Sequence, residues 1–244
     1  MLIVTIANQK GGVGKTTVAQ ALISGLKRRG LKVVAIDLDQ QGNLTSWFDC
    51  SNQHDAFDVF LGKNMEDMSK AIENDLIASS PRLAFTNDYF NSGNAIPLKE
   101  RVKTFSKKYD VCIIDTPPAI NKLTLWALAG SDTVVIPATA DKYAIEGITQ
   151  VYEAIKAVGK TAKSVSGILL VKYNARSIMQ QEVYEALKKS PFYIYDSLIR
   201  ESIAIREAQA HNKEFVDYKK TANAVKDYET FVEEFLRKEL KNAR

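Results

Sequence analysis

Residues 9–17 read Gln9-Lys10-Gly11-Gly12-Val13-Gly14-Lys15-Thr16-Thr17 and join two segments of different periodicity. Before them, Leu2 to Ala7 is a short apolar run, long enough for a strand and too short for a helix. After them, apolar residues recur every four positions from about Thr16 to Arg29, which predicts a helix, and Gly30 follows as a C-cap glycine. A second buried-strand pattern, Leu31 to Asp37, completes one strand–loop–helix–strand unit.

The glycines of this loop predict a phosphate site. They let the backbone turn its amides inward around a phosphate chain, and the following helix adds partial positive charge at its N-terminus. In such a loop Lys15 contacts the β- and γ-phosphates, and the Thr16 hydroxyl coordinates Mg²⁺. The strict pattern has glycine where this chain has Gln9, and a second lysine, Lys10, precedes the glycine pair. A glycine-rich turn with incidental lysines is the alternative, and the flanking strand and helix disfavour it.

Three aspartates follow predicted strands. Asp37 and Asp39 end the second strand, and Asp115 ends the apolar run Val111 to Asp115 in the form of a Walker B element. Ligands of open α/β sheets gather beyond the carboxyl ends of the strands. Asp37 and Asp39 are therefore placed for Mg²⁺ or a nucleophilic water, and Asp115 for Mg²⁺.

The remaining chain alternates apolar runs with amphipathic stretches. The strands are predicted at Thr133 to Pro137, Gly167 to Val171 and, more weakly, Tyr193 to Ile199. The helices are predicted at about Leu98 to Phe105, Leu123 to Ala129, Ala144 to Val158, Ile178 to Lys188, Ser202 to Ala210 and Ala222 to Leu240. This order predicts an α/β fold with a doubly wound, mostly parallel sheet and helices on both faces.

We expect a single domain, residues 1–244, with a helical insertion at roughly 43–94. Within the insertion, Asp55 to Leu61 and Met65 to Ile77 look helical, and Arg82 to Phe85 resembles a strand.

Composition excludes several classes of protein. The chain has 244 residues, 45% hydrophobic and 25% charged, with a net charge of +4, which is typical of a globular protein and unlike a disordered chain. The two cysteines, Cys50 and Cys112, cannot form a disulfide framework and have no histidine or CxxC companions for a metal. There is no apolar run of membrane-helix length and no signal peptide, so we expect a cytoplasmic protein.

The motifs at residues 8–17, 37–43 and 115–118 together resemble the ParA/MinD family of deviant Walker A ATPases, and most closely its Soj-like ParA partition branch. Ala7-Asn8-Gln9 followed by Lys-Gly-Gly-Val-Gly-Lys-Thr-Thr is highly specific to that group. The similarity extends over most of the chain, including Ile168 to Arg176 and Glu207-Ala208. It departs at Gln40, where the family often has proline, and at Ile199-Arg200-Glu201, where it usually has Ile-Pro-Arg.

The resemblance implies an ATP- and Mg²⁺-dependent ATPase that forms a nucleotide-sandwich dimer. Lys10 is then the signature lysine that crosses to the partner's nucleotide, and Asp39 positions the attacking water, while Asp37 and Asp115 support Mg²⁺ through its waters. The catalytic set is therefore Lys10, Lys15 and Asp39. The nucleotide would be bound by Lys10, Gly11, Gly12, Val13, Gly14, Lys15, Thr16 and Thr17, with Tyr173 and Asn174 near adenine. The metal residues would be Thr16, Asp37 and Asp115.

The same resemblance implies that the ATP-bound homodimer binds DNA without sequence preference and associates with the nucleoid. A ParB-like centromere-binding adaptor would stimulate hydrolysis. The candidate basic face consists of Arg176, Arg200, Arg206, Lys213, Lys219 and Lys220. From Ser164 onward the chain has fourteen basic and twelve acidic residues, so a solvated surface of mixed charge explains the composition equally well.

Other functions share the phosphate loop. The same ATPase cycle could move a protein cargo, which sequence does not separate from DNA partition. A MinD-like membrane positioner would need a C-terminal basic amphipathic helix, whereas Glu229, Glu233, Glu234 and Glu239 make the last helix mixed in charge. A nitrogenase-type reductase would need exposed cysteines at the dimer interface, and a bacterial tyrosine kinase would carry a tyrosine-rich tail.

Overall fold

The computed structural model describes residues 1–48, 50, 54–61, 71–86, 97–211, 213–214 and 218–240. Its strands are β1 (Leu2–Ile6), β2 (Val33–Asp37), β3 (Ile72–Glu73), β4 (Leu76–Ile77), β5 (Val111–Asp115), β6 (Thr133–Thr139), β7 (Val165–Tyr173) and β8 (Ile199–Arg200). Its helices are α1 (Lys15–Arg28), α2 (Ala56–Leu61), α3 (Leu98–Val102), α4 (Lys122–Gly130), α5 (Ala144–Ala157), α6 (Ile178–Lys188), α7 (Ile203–Ala210) and α8 (Asn223–Glu239).

The strands form one sheet in the order β3-β4-β2-β5-β1-β6-β7-β8. Every pairing is parallel except that of β3 with β4. The strand β1 lies between β5 and β6, in register with Val111 to Asp115 on one side. The predicted doubly wound, mostly parallel fold is thereby confirmed.

Alternating residues of the strands feed apolar cores on the two faces of the sheet. Val4 and Ile6 point to the face covered by α1, α7 and α8, whereas Ile3 points to the opposite face. On that opposite face, α2, α3 and α4 cover the β2–β5 side, and α4, α5 and α6 cover the β6–β7 side. Because both faces are covered, the central strands are apolar throughout, as their sequences indicated.

The segment 43–94 differs from the prediction. Asp55 to Leu61 does contain a helix, but residues 71–77 of the predicted helix Met65 to Ile77 form the hairpin of β3 and β4, and residues 65–70 lie outside the described part. The turn of this hairpin, Asn74-Asp75, has φ of 52° and 64°, which favours asparagine and aspartate over other side chains. The predicted strand Arg82 to Phe85 is a 3₁₀ helix, Pro81–Phe85, because Ser80 caps its first turn.

The last predicted strand, Tyr193 to Ile199, is interrupted. Ile194 pairs with Ile168 at a single bridge, and regular pairing with β7 resumes only at Ile199–Arg200. Between these points Asp196 and Ser197 donate their N–H groups to the buried carboxylate of Glu234 on α8. Because that carboxylate takes the backbone donors, the segment leaves the strand ladder.

Candidate functional site

The loop between β1 and α1 is shaped by two glycines with left-handed backbone. Gly12 has φ of 73° and Gly14 has φ of 76°, which residues with a side chain rarely adopt. In the described structure no hydrogen bond occupies the N–H groups of Gly11, Gly12 or Gly14. Together with the N-terminus of α1, these open donors form an anion-binding site.

Asn8 ties the start of this loop to the sheet. Its side-chain amide donates to the carbonyl of Pro137 on β6 at 2.7 Å, and its Oδ1 accepts the N–H of Lys10 at 2.9 Å. The side chain is buried, so both bonds are shielded from water. The motif contained Asn8, but sequence reasoning gave it no role, since its partner is 129 residues away.

A cleft of about 530 Å³ opens at the carboxyl end of the sheet. One wall is the loop itself together with Asp39, Gln41, Asn43, Ser46 and Trp47. The other wall comes from the ends of β7 and β8 and from α7. The opposite wall consists of Val171, Lys172, Ile199, Arg200, Glu201, Ser202, Ile205, Arg206 and Gln209. The volume and the open amides at one end suit an elongated anionic ligand of nucleotide size.

The carboxyl ends of β2 and β5 bring Asp37 and Asp115 side by side, since these residues are register partners. Both oxygens of Asp37 already accept hydrogen bonds. Oδ2 receives the N–H and the hydroxyl of Thr45, each at 2.8 Å, and Oδ1 receives the N–H of Asp39 at 3.1 Å. Burial raises the pKa of Asp37 to about 6. Asp37 thus anchors the loop from Asp39 to Thr45.

Asp115 is different, because one of its oxygens has no hydrogen-bond partner among the residues that the structure describes. Its Oδ2 accepts the Thr16 hydroxyl at 2.7 Å, whereas Oδ1 is buried and accepts no hydrogen bond within the described part of the chain. Burial, and next the neighbouring carboxyl of Asp37, raise the pKa of Asp115 to about 8. An unpartnered buried carboxylate oxygen beside a threonine hydroxyl fits a divalent cation with its water shell.

This arrangement suits Mg²⁺ better than a protein-enclosed metal. Among the residues that the structure describes, no three histidine, cysteine or acidic side chains form a metal cage. Mg²⁺ usually keeps several waters and is held by one or two carboxylates and by substrate phosphates. Thr16 and Asp115 are placed for that role, while the oxygens of Asp37 are occupied by Thr45 and Asp39.

Lys15 is a buried cation that faces these acids. Only 7% of the residue is exposed, and its ammonium donates to the carbonyl of Lys10 at 3.4 Å. Burial lowers the pKa of Lys15, and the charges of Asp115 and Asp39 oppose this effect. The long bond to a backbone carbonyl is one that a bound phosphate can replace with a stronger, charge-assisted contact.

Asp39 lines the cleft beside the loop. Its Oδ1 accepts the N–H of Gln41 at 3.1 Å, and its backbone carbonyl accepts the hydroxyl of Ser79. The side chain is therefore oriented by its own loop, next to the anion site.

In the single chain, the side chain of Lys10 contacts residues of its own subunit. Its ammonium forms an ion pair with Asp141 and donates to the Thr139 hydroxyl at 3.3 Å, close to the ring of Tyr143. Thr139 donates in turn to the same Asp141 oxygen at 2.6 Å. Sequence reasoning missed Asp141. A weaker signal was available, because Asp141 follows the predicted strand Thr133 to Pro137 by four residues, whereas Asp37 and Asp115 end their predicted strands directly.

Tyr173 and Asn174, which were predicted to lie near adenine, are not among the residues that line the cleft. The ring of Tyr173 is buried on the face of the sheet that α4, α5 and α6 cover, with its centroid 6.0 Å from that of the Tyr184 ring. Asn174 is exposed, and its Oδ1 accepts the N–H of Arg176 at 3.0 Å. The cleft wall at this strand end is made by Val171 and Lys172 instead.

The predicted basic face is divided by the structure. Arg200 lines the cleft and holds both oxygens of Asp227, at 2.6 Å and 2.9 Å. Arg206 also lines the cleft and pairs with Glu201 at 3.1 Å. The other four candidates are exposed and are not part of the cleft wall: Arg176, Lys213, Lys219 and Lys220.

Comparison with known proteins assigns the family. A family model described as an AAA domain matches residues 1–168. The sporulation initiation inhibitor protein Soj of Bacillus subtilis is 33% identical over 231 residues, 88% of this chain and 90% of that protein. The chain belongs to the Soj/ParA family of AAA-domain ATPases. The chromosome-partitioning ATPase Soj of Thermus thermophilus is 30% identical over 239 residues, 96% of this chain and 94% of that protein.

The Soj/ParA fold is also used by enzymes with other names. Cobyrinic acid a,c-diamide synthase from Mycobacterium smegmatis, solved with ADP and magnesium, matches with a TM-score of 0.83 at 24% identity. The match covers 100% of this chain and 97% of that one. At this identity the likeness concerns the fold. No helix in the described ranges has the length and hydropathy of a membrane span.

Proposed function

We propose that this Soj/ParA-type ATPase uses an Mg-ATP-driven dimerisation cycle to segregate DNA. The ATP-bound dimer binds DNA without sequence preference, and a ParB-like centromere-binding adaptor stimulates hydrolysis and release. The cargo would be plasmid, mobile-element or chromosomal DNA. The observation that carries the proposal is the meeting of Lys15, Thr16, Asp39 and Asp115 at the open amides of one loop. The names of its Soj relatives support the cargo.

Nucleotide binding would use the open N–H groups of the loop for the phosphates. Lys15 would leave the carbonyl of Lys10 and neutralise the β- and γ-phosphates. Bound Mg²⁺ supplies charge neutralisation of the transferring phosphoryl group. The Thr16 hydroxyl, which donates to Asp115 and keeps its lone pairs, would hold the ion, with Asp115 Oδ1 receiving a water of its shell. Ribose and base would extend along the wall from Ile199 to Gln209.

Hydrolysis would depend on Asp39. Phosphoryl transfer is catalysed mainly by positioning and electrostatics, so the residue that orients the attacking water controls the rate. Asp39 lines the cleft next to the loop and is oriented by Gln41. Its carboxylate would accept a hydrogen bond from that water.

Dimer formation would require Lys10 to change partners. In the single chain its ammonium is bound to Asp141 and Thr139. To contact the nucleotide of a second subunit, it must leave this pair for the phosphates of that ligand. Two subunits would then hold each other through their bound nucleotides, which links dimer lifetime to hydrolysis.

DNA contact would come from exposed basic residues that two subunits present together. Arg176, Lys219 and Lys220 are exposed and do not line the cleft, so nucleotide binding leaves them accessible. Contacts to phosphates make the affinity fall as salt rises. The slope of log K against log salt concentration is about −0.9 for each phosphate neutralised. Because bivalent attachment raises effective concentration, the dimer should bind far more tightly than the monomer.

A salt titration of DNA binding tests the proposal. Two unrelated duplexes are titrated with the protein in Mg-ATP and without nucleotide. We expect strong binding only with Mg-ATP, equal for both sequences. Arg176→Ala should make the salt dependence of binding shallower for both duplexes, by the amount expected for the loss of about one phosphate contact. Lys108→Ala, an exposed lysine before β5 at the other end of the sheet, is the matched control.

Three results would contradict the DNA assignment. Equal affinity with and without Mg-ATP would separate DNA binding from the ATPase cycle. A strong preference for one duplex would indicate that the protein recognises bases rather than phosphates. ATP-dependent dimerisation without DNA binding would favour the alternative in which the same cycle positions a protein cargo.

A further inference from the structure

Lys172 is a third lysine at the phosphate loop, contributed by β7. Its ammonium donates to the carbonyl of Gly12 at 2.7 Å, across 160 positions of sequence. It lines the cleft and is exposed. The loop motif does not contain it, so the roles assigned to Lys10 and Lys15 leave it unexplained.

The backbone of Lys172 is strained in a way that turns its side chain toward the loop. Its φ is 55°, in the left-handed region that residues with a β-carbon avoid. The other non-glycine residues with positive φ that the structure describes, Asn74 and Asp75, occupy a hairpin turn. At Lys172 the pairing of β7 with β8 shifts register, and Val171 and Tyr173 pack into cores on opposite faces of the sheet. Strained backbone of this kind concentrates at functional sites.

The contact with Gly12 constrains one peptide of the loop. In a trans peptide the carbonyl and the following N–H point in opposite directions. By holding the Gly12 carbonyl, Lys172 fixes the direction of the Val13 N–H on the other side of that peptide. It thereby stabilises the conformation in which Gly12 has its left-handed φ.

The charge of Lys172 is also less compensated than that of the other two lysines. Lys10 is paired with Asp141, and Lys15 lies near Asp39 and Asp115. Within the described part of the chain, no carboxylate forms an ion pair with Lys172. Its ammonium has a backbone carbonyl as its acceptor. A cation in that position adds positive potential at the mouth of a cleft that takes an anion.

We propose that Lys172 is a positioning residue for the nucleotide phosphates, which holds the phosphate loop through Gly12 and attracts the polyphosphate electrostatically. This inference rests on the proposed binding of ATP in the cleft. It assigns to Lys172 a contribution to affinity that applies to ATP and ADP alike. Because ground state and transition state gain equally, KM rather than kcat should respond to its removal.

The test compares four variants in the full-length protein. Lys172→Met keeps the length of the side chain and removes the charge, and Lys172→Arg keeps the charge. Lys172→Asn removes the charge but relieves the strain, because asparagine tolerates left-handed backbone. Lys163→Met, an exposed lysine just before the opposite end of β7, is the matched control for loss of one positive charge.

We expect Lys172→Met to weaken binding of a fluorescent N-methylanthraniloyl ATP, and of the corresponding ADP, by about tenfold. KM for ATP should rise by about the same factor, while kcat stays within about twofold. Lys172→Arg and Lys163→Met should bind as the wild type does. Lys172→Asn should melt at or above the wild-type temperature and still bind weakly, a combination that a purely structural role of Lys172 would not produce.

Several outcomes would overturn this inference. They are wild-type affinity in Lys172→Met, equal losses in Lys172→Met and Lys163→Met, failure of Lys172→Arg to restore binding, and wild-type binding by Lys172→Asn. Failure of the proposed function looks different, because the wild-type protein would then not bind either nucleotide. If the wild type binds both and Lys172→Met binds equally well, the proposed function stands and only the role of Lys172 is refuted.

Discussion

Single residues in the cleft differ in what surrounds their polar atoms, and this separates their roles. Asp37 has both oxygens engaged by Thr45 and Asp39, so it stabilises a loop. In the described ranges Asp115 keeps one buried oxygen unpartnered, which is costly unless a ligand or ordered water supplies the missing contact. Asp39 lies at the cleft surface, where a water can approach. Three aspartates that look equivalent in sequence thus have different roles. Asp37 holds a loop in place, Asp115 is placed to accept a metal-bound water, and Asp39 is placed to orient the attacking water.

At the residue scale, Asp39→Ala should keep ATP affinity and lose turnover. A group that orients the attacking water acts in the transition state more than in ground-state binding, so kcat should fall by at least about a hundredfold. In size-exclusion chromatography with Mg-ATP, the variant should remain a long-lived dimer. Lys15→Ala is the contrasting variant, since loss of the buried ammonium should abolish nucleotide binding and dimerisation together. Normal turnover in Asp39→Ala, or a variant that stays monomeric, would refute this role.

At the scale of elements, α8 connects the core to the far wall of the cleft. Glu234 accepts the N–H groups of Asp196 and Ser197 and the hydroxyls of Tyr193 and Ser197, at 2.6–3.0 Å. Asp227 holds Arg200 at the cleft wall. The helix packs along α1, whose N-terminus is the phosphate site. One helix therefore sets the distance between the two walls.

The contact of α1 with α8 depends on Gly25. A Cβ at this position would lie 2.7 Å and 2.9 Å from two methyl carbons of Val232. Alanine is the better helix former by about 1 kcal/mol, but overpacking costs about 1–3 kcal/mol. Gly25→Ala should therefore lower the free energy of unfolding in urea titrations.

The control for this prediction is the same change in a Val232→Ala background. With the two methyl groups removed, only the Cβ of residue 232 remains close, at 3.2 Å, so the severe part of the clash is relieved and Gly25→Ala should raise stability by up to about 1 kcal/mol. The sign of its effect should thus reverse between the two backgrounds, which a double-mutant cycle measures. Stabilisation by Gly25→Ala in the wild-type background would show that α8 yields easily and does not set the wall distance.

At the scale of the whole molecule, the carboxyl edge of the sheet gathers groups from five strands. They are the loop after β1, Asp37 at the end of β2 with Asp39 just beyond it, Asp115 at β5, Asp141 after β6 and Lys172 at β7. Parallel strands direct all these ends to one side. The ion pair of Lys10 with Asp141 belongs to the same edge. A second subunit that binds here must compete with Asp141 for Lys10.

A mixing experiment tests whether Lys10 acts across the dimer. Lys10→Ala should still bind nucleotide as a monomer but should dimerise and hydrolyse ATP poorly. Asp39→Ala should also be inactive. In a heterodimer of the two, the Lys10→Ala subunit has its own Asp39 and receives Lys10 from its partner, so one complete site forms. Mixing the two inactive proteins should therefore restore ATPase activity.

Action of Lys10 within its own subunit predicts a different result for the mixture. If Lys10 acts within its own subunit, neither site of the heterodimer is complete, and the mixture stays inactive. Lys142→Ala, a nearby exposed lysine, is the control for loss of charge at this edge and should keep dimerisation and turnover. Normal activity of the Lys10→Ala homodimer would exclude any essential role for this lysine.

Local sequence patterns were sufficient to predict the parts of this protein that depend on near neighbours in the chain. Strand, glycine loop and helix follow from short-range rules, so β1, the phosphate loop and α1 were predictable. The apolar runs at β2, β5, β6 and β7 were equally clear, because strands buried on both faces need no alternation. Where the local signals were weak, in residues 71–86, the predicted helix and strand are a hairpin and a 3₁₀ helix. There, turn residues and a serine cap prevailed over apolar spacing.

Tertiary structure alone decided which distant side chains meet. The pairs Asn8 with Pro137, Lys10 with Asp141, and Lys172 with Gly12 span 129 to 160 positions, and no local pattern encodes such separations. The same holds for Tyr173, whose ring packs beside Tyr184 because the strained Lys172 alters the alternation of β7. Local propensity specifies elements through neighbours in the chain, whereas sheet order and helix packing specify the contacts between them. That is why the phosphate loop could be identified from nine residues, while the groups that hold it in place could not.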